Sequence, residues 1–183
     1  MGAEAIRQLV MGDANPSGHL SMTFPRCIGQ IPIHHDRLTS CRPVGSRGEG
    51  SSFVNRYIDE SNEPLFPFGF GLSYTSFELT NARITGDALT VTVRNLGDRD
   101  GETVVQLYGR VRHARIIRPQ RTLIGWQRIA AAAGAQEEVR IPLRLDRLKM
   151  LDCEGRPVEL AGIVDLYAGF DSTADIHLIC QMA

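Results

Sequence analysis

The sequence is poor in several things that would have named a function at once. Lysine occurs once, at Lys149, although Lys and Arg together number 20, so nearly every cation is an arginine. These arginines are scattered, which fits a compositional bias rather than a built polyanion surface. Against 21 acidic residues the formal net charge is -1, so no overall field draws the chain to nucleic acid or to an anionic membrane. No apolar run approaches the roughly 18 residues of a membrane span, and the amino terminus lacks the basic and apolar regions of a secretory signal. Four cysteines, Cys27, Cys41, Cys153 and Cys180, include no CxxC and no Cys/His spacing suited to zinc. Three full pairings are open to them, as are free thiols.

What is present is an ordinary globular balance, 43% hydrophobic and 22% charged over 183 residues. That supports a buried core but is too short for an α/β barrel enzyme of about 250 residues. Ala5, Ile6, Leu9 and Val10 recur at helical spacing before a stop and turn over 12–18, so the chain opens in the last turns of a helix. Alternation at Leu20, Met22 and Phe24 predicts a short strand ended by Pro25. From His34 to Pro64 the text is polar and aperiodic, a functional or mobile loop by length. The run Pro64-Leu65-Phe66-Pro67-Phe68-Gly69-Phe70-Gly71-Leu72-Ser73-Tyr74 then concentrates rings, glycine and proline, which pack as irregular structure.

After Tyr74 the pattern is that of strands. Phe77 to Ile84, Leu89 to Val93, Val104 to Val111, Thr122 to Ile129, Glu138 to Leu143, Ile163 to Ala168 and Ile176 to Cys180 are separated by turn residues. Ala130 to Ala133 reads as an inter-strand loop because Gly134 follows. Seven short strands in about 110 residues predict an immunoglobulin-like or fibronectin type III-like sandwich.

Several residues invite a chemical reading. Asp59, Glu60 and Glu63 form an acidic cluster, but no apolar surroundings that would raise a carboxyl pKa are evident, and a solvated loop is the simpler reading. His34-His35-Asp36 is a poor metal grip, because adjacent side chains in extended chain point apart. Gly69-Phe70-Gly71 lacks the third glycine and helix of a dinucleotide fingerprint, and Ser73 lacks the flanks of a nucleophile elbow. Trp126 is expected to pack in the core or against a neighbouring domain rather than to stack on sugar. Arg110, Arg112, Arg115, Arg118 and Arg121 are expected in a solvated loop or at a domain contact, since no aromatic interleaving marks a nucleic-acid site.

Three runs together resemble glycoside hydrolase family 3: residues 15–33, beginning Asn15-Pro16-Ser17-Gly18-His19; Tyr57-Ile58-Asp59 with Pro64 to Phe77; and Val91 to Tyr108 with Arg118-Pro119 and Leu123-Ile124-Gly125-Trp126. The likeness is to the carboxy-terminal part of bacterial periplasmic-type β-glucosidases. His19, Ser21 and His34-His35 depart from the lysine, proline and tyrosines common there.

The resemblance implies a mainly β fold: the C-terminal remnant of an α/β sandwich domain over 1–74, then a fibronectin type III-like domain over 75–183. It implies hydrolysis of terminal β-D-glucosyl residues by the intact enzyme, with a β-glucoside or oligosaccharide as its ligand and no cofactor. Such chemistry needs a nucleophilic carboxylate and a second carboxyl about 5 Å away. Family members carry these on the barrel and in the upstream α/β domain, so no residue of this chain takes a catalytic, cofactor-binding or metal role, and it is expected to be inactive alone. The missing barrel and α/β domains are its expected partners, with neither nucleic acid nor membrane among them. Intact relatives are periplasmic or secreted, on a signal that would lie outside this stretch. The alternative is a standalone β-sandwich that docks a separate catalytic chain through Pro64 to Phe77, and apolar surface left exposed on 1–74 fits either reading.

Overall fold

A computed structural model describes residues 2–38, 57, 59–112, 116–158 and 160–182. Alternating side chains carry the sandwich. Leu89, Val91 and Val93 point to one face of β2 (Ala88–Asn95), which pairs with β1 (Phe77–Thr85) and β5 (Gln136–Pro142) in a sheet ordered β1-β2-β5. The facing sheet is ordered β4-β3-β8-β9, from β4 (Thr122–Ala131), β3 (Gly101–Val111), β8 (Gly162–Gly169) and β9 (Ile176–Met182). All pairings are antiparallel. Between β5 and β8 lie a 3-10 turn, Leu145–Leu148, and a minimal hairpin of β6 (Met150–Leu151) and β7 (Pro157–Val158), neither of which the sequence pattern announced.

Each sheet buries one face against the other. Val105 and Leu107, Ile124, Ile141, Val164 and Leu166 are fully enclosed with the β2 residues, and Leu148 closes the cluster from the 3-10 turn. Burying each large aliphatic side chain contributes about 1.5–3 kcal/mol. The seven principal strands are those the alternation predicts, differing at their ends. Ala130 and Ala131, expected in a loop, extend β4 because they pair with Glu102 and Gly101, which start β3 ahead of the predicted Val104. The turn follows at Ala132 to Ala135, closed by the Ala135 N–H on the Ala132 carbonyl at 3.0 Å.

One buried amide organises the loop that links the two sheets. Asn95 is wholly enclosed, and its Nδ2 donates to the carbonyls of Arg99 (2.7 Å) and Ala131 (3.0 Å). Its Oδ1 accepts from the Gly97 N–H (3.1 Å) and from the Thr75 hydroxyl. All four capacities of the side chain are used, as burial demands.

The amino-terminal part is organised differently. Helix α1 (Gly2–Met11) buries none of its residues, so the apolar row Ile6, Leu9 and Val10 faces outward. The predicted strand at Leu20, Met22 and Phe24 is instead a ribbon of isolated antiparallel bridges, His19 to Gly71 and Phe24 to Phe66. Continuous pairing fails there because the opposite segment turns on itself: the Phe70 N–H goes to the Pro67 carbonyl (3.2 Å), and the Leu20 carbonyl takes the Gly69 N–H instead. Residues 39–56 and 58, most of the predicted loop, lie outside the described residues.

Truncating the inner face should expose how much the sandwich depends on packing. Ile141→Ala should cost about 2–5 kcal/mol in urea unfolding while leaving the m-value unchanged.

Candidate functional site

The part of the molecule where polar side chains converge is the seam between the 19–24/65–71 ribbon and the outer face of the four-stranded sheet. At its centre is Gln106 of β3, buried beneath Gly69. The Gln106 Nε2 donates to the carbonyls of Gly69 (3.1 Å) and Phe170 (2.6 Å), and its Oε1 accepts from the Tyr108 hydroxyl at 2.6 Å. Burial pushes the Tyr108 phenol far up, so it stays protonated and donates. The close approach requires glycine at 69. Its φ is +83°, and a Cβ there would lie 2.2 Å from the Gln106 Oε1.

His19 completes the knot. Its Nε2 accepts the Val104 N–H at 3.3 Å, which leaves Nδ1 to carry the proton and donate to the Gly69 carbonyl at 2.6 Å. The ring therefore continues the β3 ladder where β8 has ended. Further backbone links run from Gly69 N–H to Leu20 (2.8 Å), Leu20 N–H to Phe70 (2.8 Å) and Ser172 N–H to Phe68 (2.8 Å).

Asn15 ties the ribbon's two ends together. Its Nδ2 donates to the Asp100 carbonyl (2.9 Å), and its Oδ1 accepts from the Ser73 hydroxyl (2.9 Å) and the Tyr74 N–H (2.8 Å). Ser73 is thus a structural hydroxyl. A second buried amide, Gln30, is 1% exposed; its Nε2 donates to the Ser61 carbonyl at 2.7 Å and its Oε1 accepts the Arg26 N–H.

The acidic cluster is held in this same framework. The Glu60 carboxylate accepts the Ser61 N–H (2.8 Å) and lies 3.9 Å from Arg26, while the Glu63 carbonyl accepts from Arg26 Nε at 3.1 Å. His35 stacks on Phe68 with ring centroids 4.1 Å apart and meets Tyr108 edge-on at 6.1 Å, and burial pushes its imidazole below the usual range. Among the described residues no three His, Cys, Asp or Glu converge as metal ligands.

The arginines separate into different duties. Arg121 donates to the carbonyls of Ser172 and Ala174 at 2.8 and 2.7 Å, with its guanidinium 4.3 Å from the Tyr167 centroid. Arg118 is buried and donates to the Leu148 carbonyl. Arg112 grips Asp165 through both its Nε (2.8 Å) and Nη2 (2.6 Å), and His177 reaches the same carboxylate at 2.7 Å. These are anchors within the sandwich rather than a solvated basic loop; Arg110 stays exposed, and Arg115 lies outside the described residues. Trp126, expected in the core or at a domain contact, is 52% exposed on β4 with Arg147 over its ring at 5.1 Å. In a regular strand Ile124 and Trp126 would share a face; the register shift between Leu107 and Tyr108 breaks the alternation, so Ile124 is buried while Trp126 lies opposite Gln106 on the outer face of the sheet. Cys27, Cys153 and Cys180 are free thiols.

Beside the knot is an apolar groove of about 470 Å³, lined chiefly by Met22, Phe24, Ile31, Pro32, Ile33 and Phe68. Its exposed Met22, Phe24 and Ile31 are more apolar surface than isolated side chains would leave. The sequence pattern did not foresee Gln106, Gln30 or His19 as the connectors. Lone polar residues in apolar runs were the available signal.

The strand order and docked ribbon define a fibronectin type III-like sandwich joined to a segment of a second domain. Residues 1–74 match the glycosyl hydrolase family 3 C-terminal domain, and residues 103–172 match the fibronectin type III-like domain. The chain is 34% identical over 179 residues to a periplasmic β-glucosidase of Salmonella typhimurium, covering 93% of this chain and 23% of that protein. It is 37% identical to a β-xylosidase of Formosa agariphila, covering 94% of this chain and 24% of the relative. A crystal structure of a β-glucosidase from Listeria innocua in complex with isofagomine superposes with a TM-score of 0.89 at 29% identity, covering 98% of this chain and 26% of that one. The chain belongs to glycoside hydrolase family 3, as a C-terminal portion of such glycosidase-type enzymes spanning about a quarter of the length of these relatives.

Two substitutions probe the seam. Gly69→Ala should free the ribbon, giving proteolytic cleavage near residues 64–74 while the sandwich stays folded, at a cost of about 1–2 kcal/mol from the positive φ alone. For Asp165, the Arg112 guanidinium holds the carboxyl below its usual range. The stability this contributes is present above the unfolded pKa of about 4 and is lost as pH falls through the lower folded value. Asp165→Asn should lower stability at pH 7 by about 1–3 kcal/mol and flatten the fall of melting temperature with acid.

Proposed function

We propose that this chain is the non-catalytic carboxy-terminal part of a β-glucosidase-type hydrolase, divided near residue 74 between an α/β-domain remnant and the fibronectin type III-like domain. The nucleophile and the acid/base are carried by domains outside it. The observation that carries this reading is the coverage: 93% of the chain aligns with the periplasmic β-glucosidase, yet only 23% of that enzyme is spanned. The Glu60 carboxylate supports it, since it is engaged by the Ser61 N–H and lies beside Arg26.

In this reading the chain supplies position rather than chemistry. The knot of Gln106, Gly69 and His19 fixes the sandwich to the last segment of the α/β domain, and the apolar groove receives the remainder of that domain. The intact enzyme takes β-glucosides and works in the periplasm or outside the cell, consistent with the named relative. No helix among the described residues is long and apolar enough to cross a membrane. A second reading, docking to a separate catalytic chain, is favoured by the exposed groove alone.

Release of aryl aglycone from an aryl β-glucoside by the purified 183-residue chain should not exceed a blank, and turnover above it would overturn the proposal. If adding a polypeptide with the barrel and upstream α/β domain restores hydrolysis, the two-chain reading gains.

A further inference from the structure

An open sandwich of this order leaves four edges, β1, β5, β4 and β9, each a row of unpaired backbone groups ready to accept another strand. Three are guarded. The β5 edge carries Glu137, Glu138 and Arg140 and ends at Pro142. The β1 edge carries Glu78 and Arg83, and its register breaks between Thr80 and Arg83, where Asn81 has φ 52°. The β4 edge carries Arg128 and an irregularity opposite Leu107/Tyr108.

The β9 edge has none of these devices. Its seven residues, Ile176-His177-Leu178-Ile179-Cys180-Gln181-Met182, include no carboxylate, lysine, arginine, proline or glycine, and its register on β8 runs unbroken from Gly162↔Met182 to Ala168↔Ile176. Among the described residues no backbone hydrogen bond reaches its outer side. At its middle Ile179 is 54% exposed.

The strand is also symmetric in polarity about Ile179: apolar at 176, 178, 180 and 182, polar at 177 and 181. A strand that reads the same in both directions suits an antiparallel copy of itself, the self-matching patch that a two-fold axis requires. We propose that β9 pairs with β9 of a second copy of this chain across a two-fold axis at Ile179, joining two four-stranded sheets into one of eight. In that register Ile179 meets Ile179, His177 meets Gln181, Leu178 meets Cys180 and Ile176 meets Met182. Leu178, Cys180 and Met182 already lie partly against the core, so their row extends it. No like charges oppose each other across the axis. On the neighbouring strand Asp165 is neutralised by Arg112, with His177 turned onto the same carboxylate, and Asp175, which directly precedes the strand, falls beyond the paired residues at either end. Seven residues a side bury less than the roughly 1,200 Å² of a standard interface, so the dimer is reversible.

Sedimentation of the full chain over the micromolar range, at pH 7 under reducing conditions, tests this. Dimer should grow with concentration, persist in Ile31→Lys, which charges the separate apolar groove, and vanish in Ile179→Lys. In a background of Cys27→Ser, Cys41→Ser and Cys153→Ser, Ile179→Cys should form an interchain disulfide under mild oxidant, because directly opposed Cβ atoms lie about 4.5–5.5 Å apart. Gln181→Cys, which faces His177, should not. A monomer at every concentration, association that survives Ile179→Lys or is lost in Ile31→Lys, or failure of Ile179→Cys to cross-link would overturn the proposal. Should Ile179→Lys fail to fold by circular dichroism, the cross-link decides.

Discussion

The Gln106 amide is the constraint on which the arrangement of the two parts depends. A buried primary amide has two donors and an acceptor to satisfy, and here they go to Gly69, Phe170 and Tyr108. Each of those contacts belongs to a different piece of chain, so one side chain joins the ribbon, the β8–β9 connection and β3. Removing any partner would leave a polar group stranded away from water. The absence of a side chain at Gly69 is what allows the ribbon to approach closely enough for the contact.

The sandwich and the ribbon are stabilised by different physics. Between the sheets, aliphatic side chains exclude water and need no direction beyond alternation. Outside that core, stability is directional: Asn15, His19 and Gln106 across the seam, and Gln30 and Asn95 beside it, each satisfy several backbone groups. A glycine- and proline-rich segment has no ladder of its own, so side chains take the place of a partner strand. This is why the family resemblance over residues 15–33 and 64–77 runs through residues with no evident chemistry.

Several of the described acidic residues are committed to local structure. A glycosidase needs two carboxyls facing each other across a sugar. Here Glu60 lies against its own turn and Asp165 is claimed by Arg112 and His177.

The seven strands, the opening helix and the family were legible from alternation, turn residues and three long motif runs, because period-two burial and turn chemistry are local properties. Local pattern overstated the strand at Leu20 to Phe24, since pairing there depends on a distant segment that turns on itself at Pro67 to Phe70, and it ended β4 too early, since Ala130 and Ala131 are strand only through Glu102 and Gly101. It did not choose between core and domain contact for Trp126, which a register shift in β4 places on the outer face. By itself, then, the order of residues determined which segments are strands and which family they belong to. Only the tertiary structure decided which polar side chains carry the seam and which sheet edge is unguarded, because both depend on partners dozens of residues away in the chain.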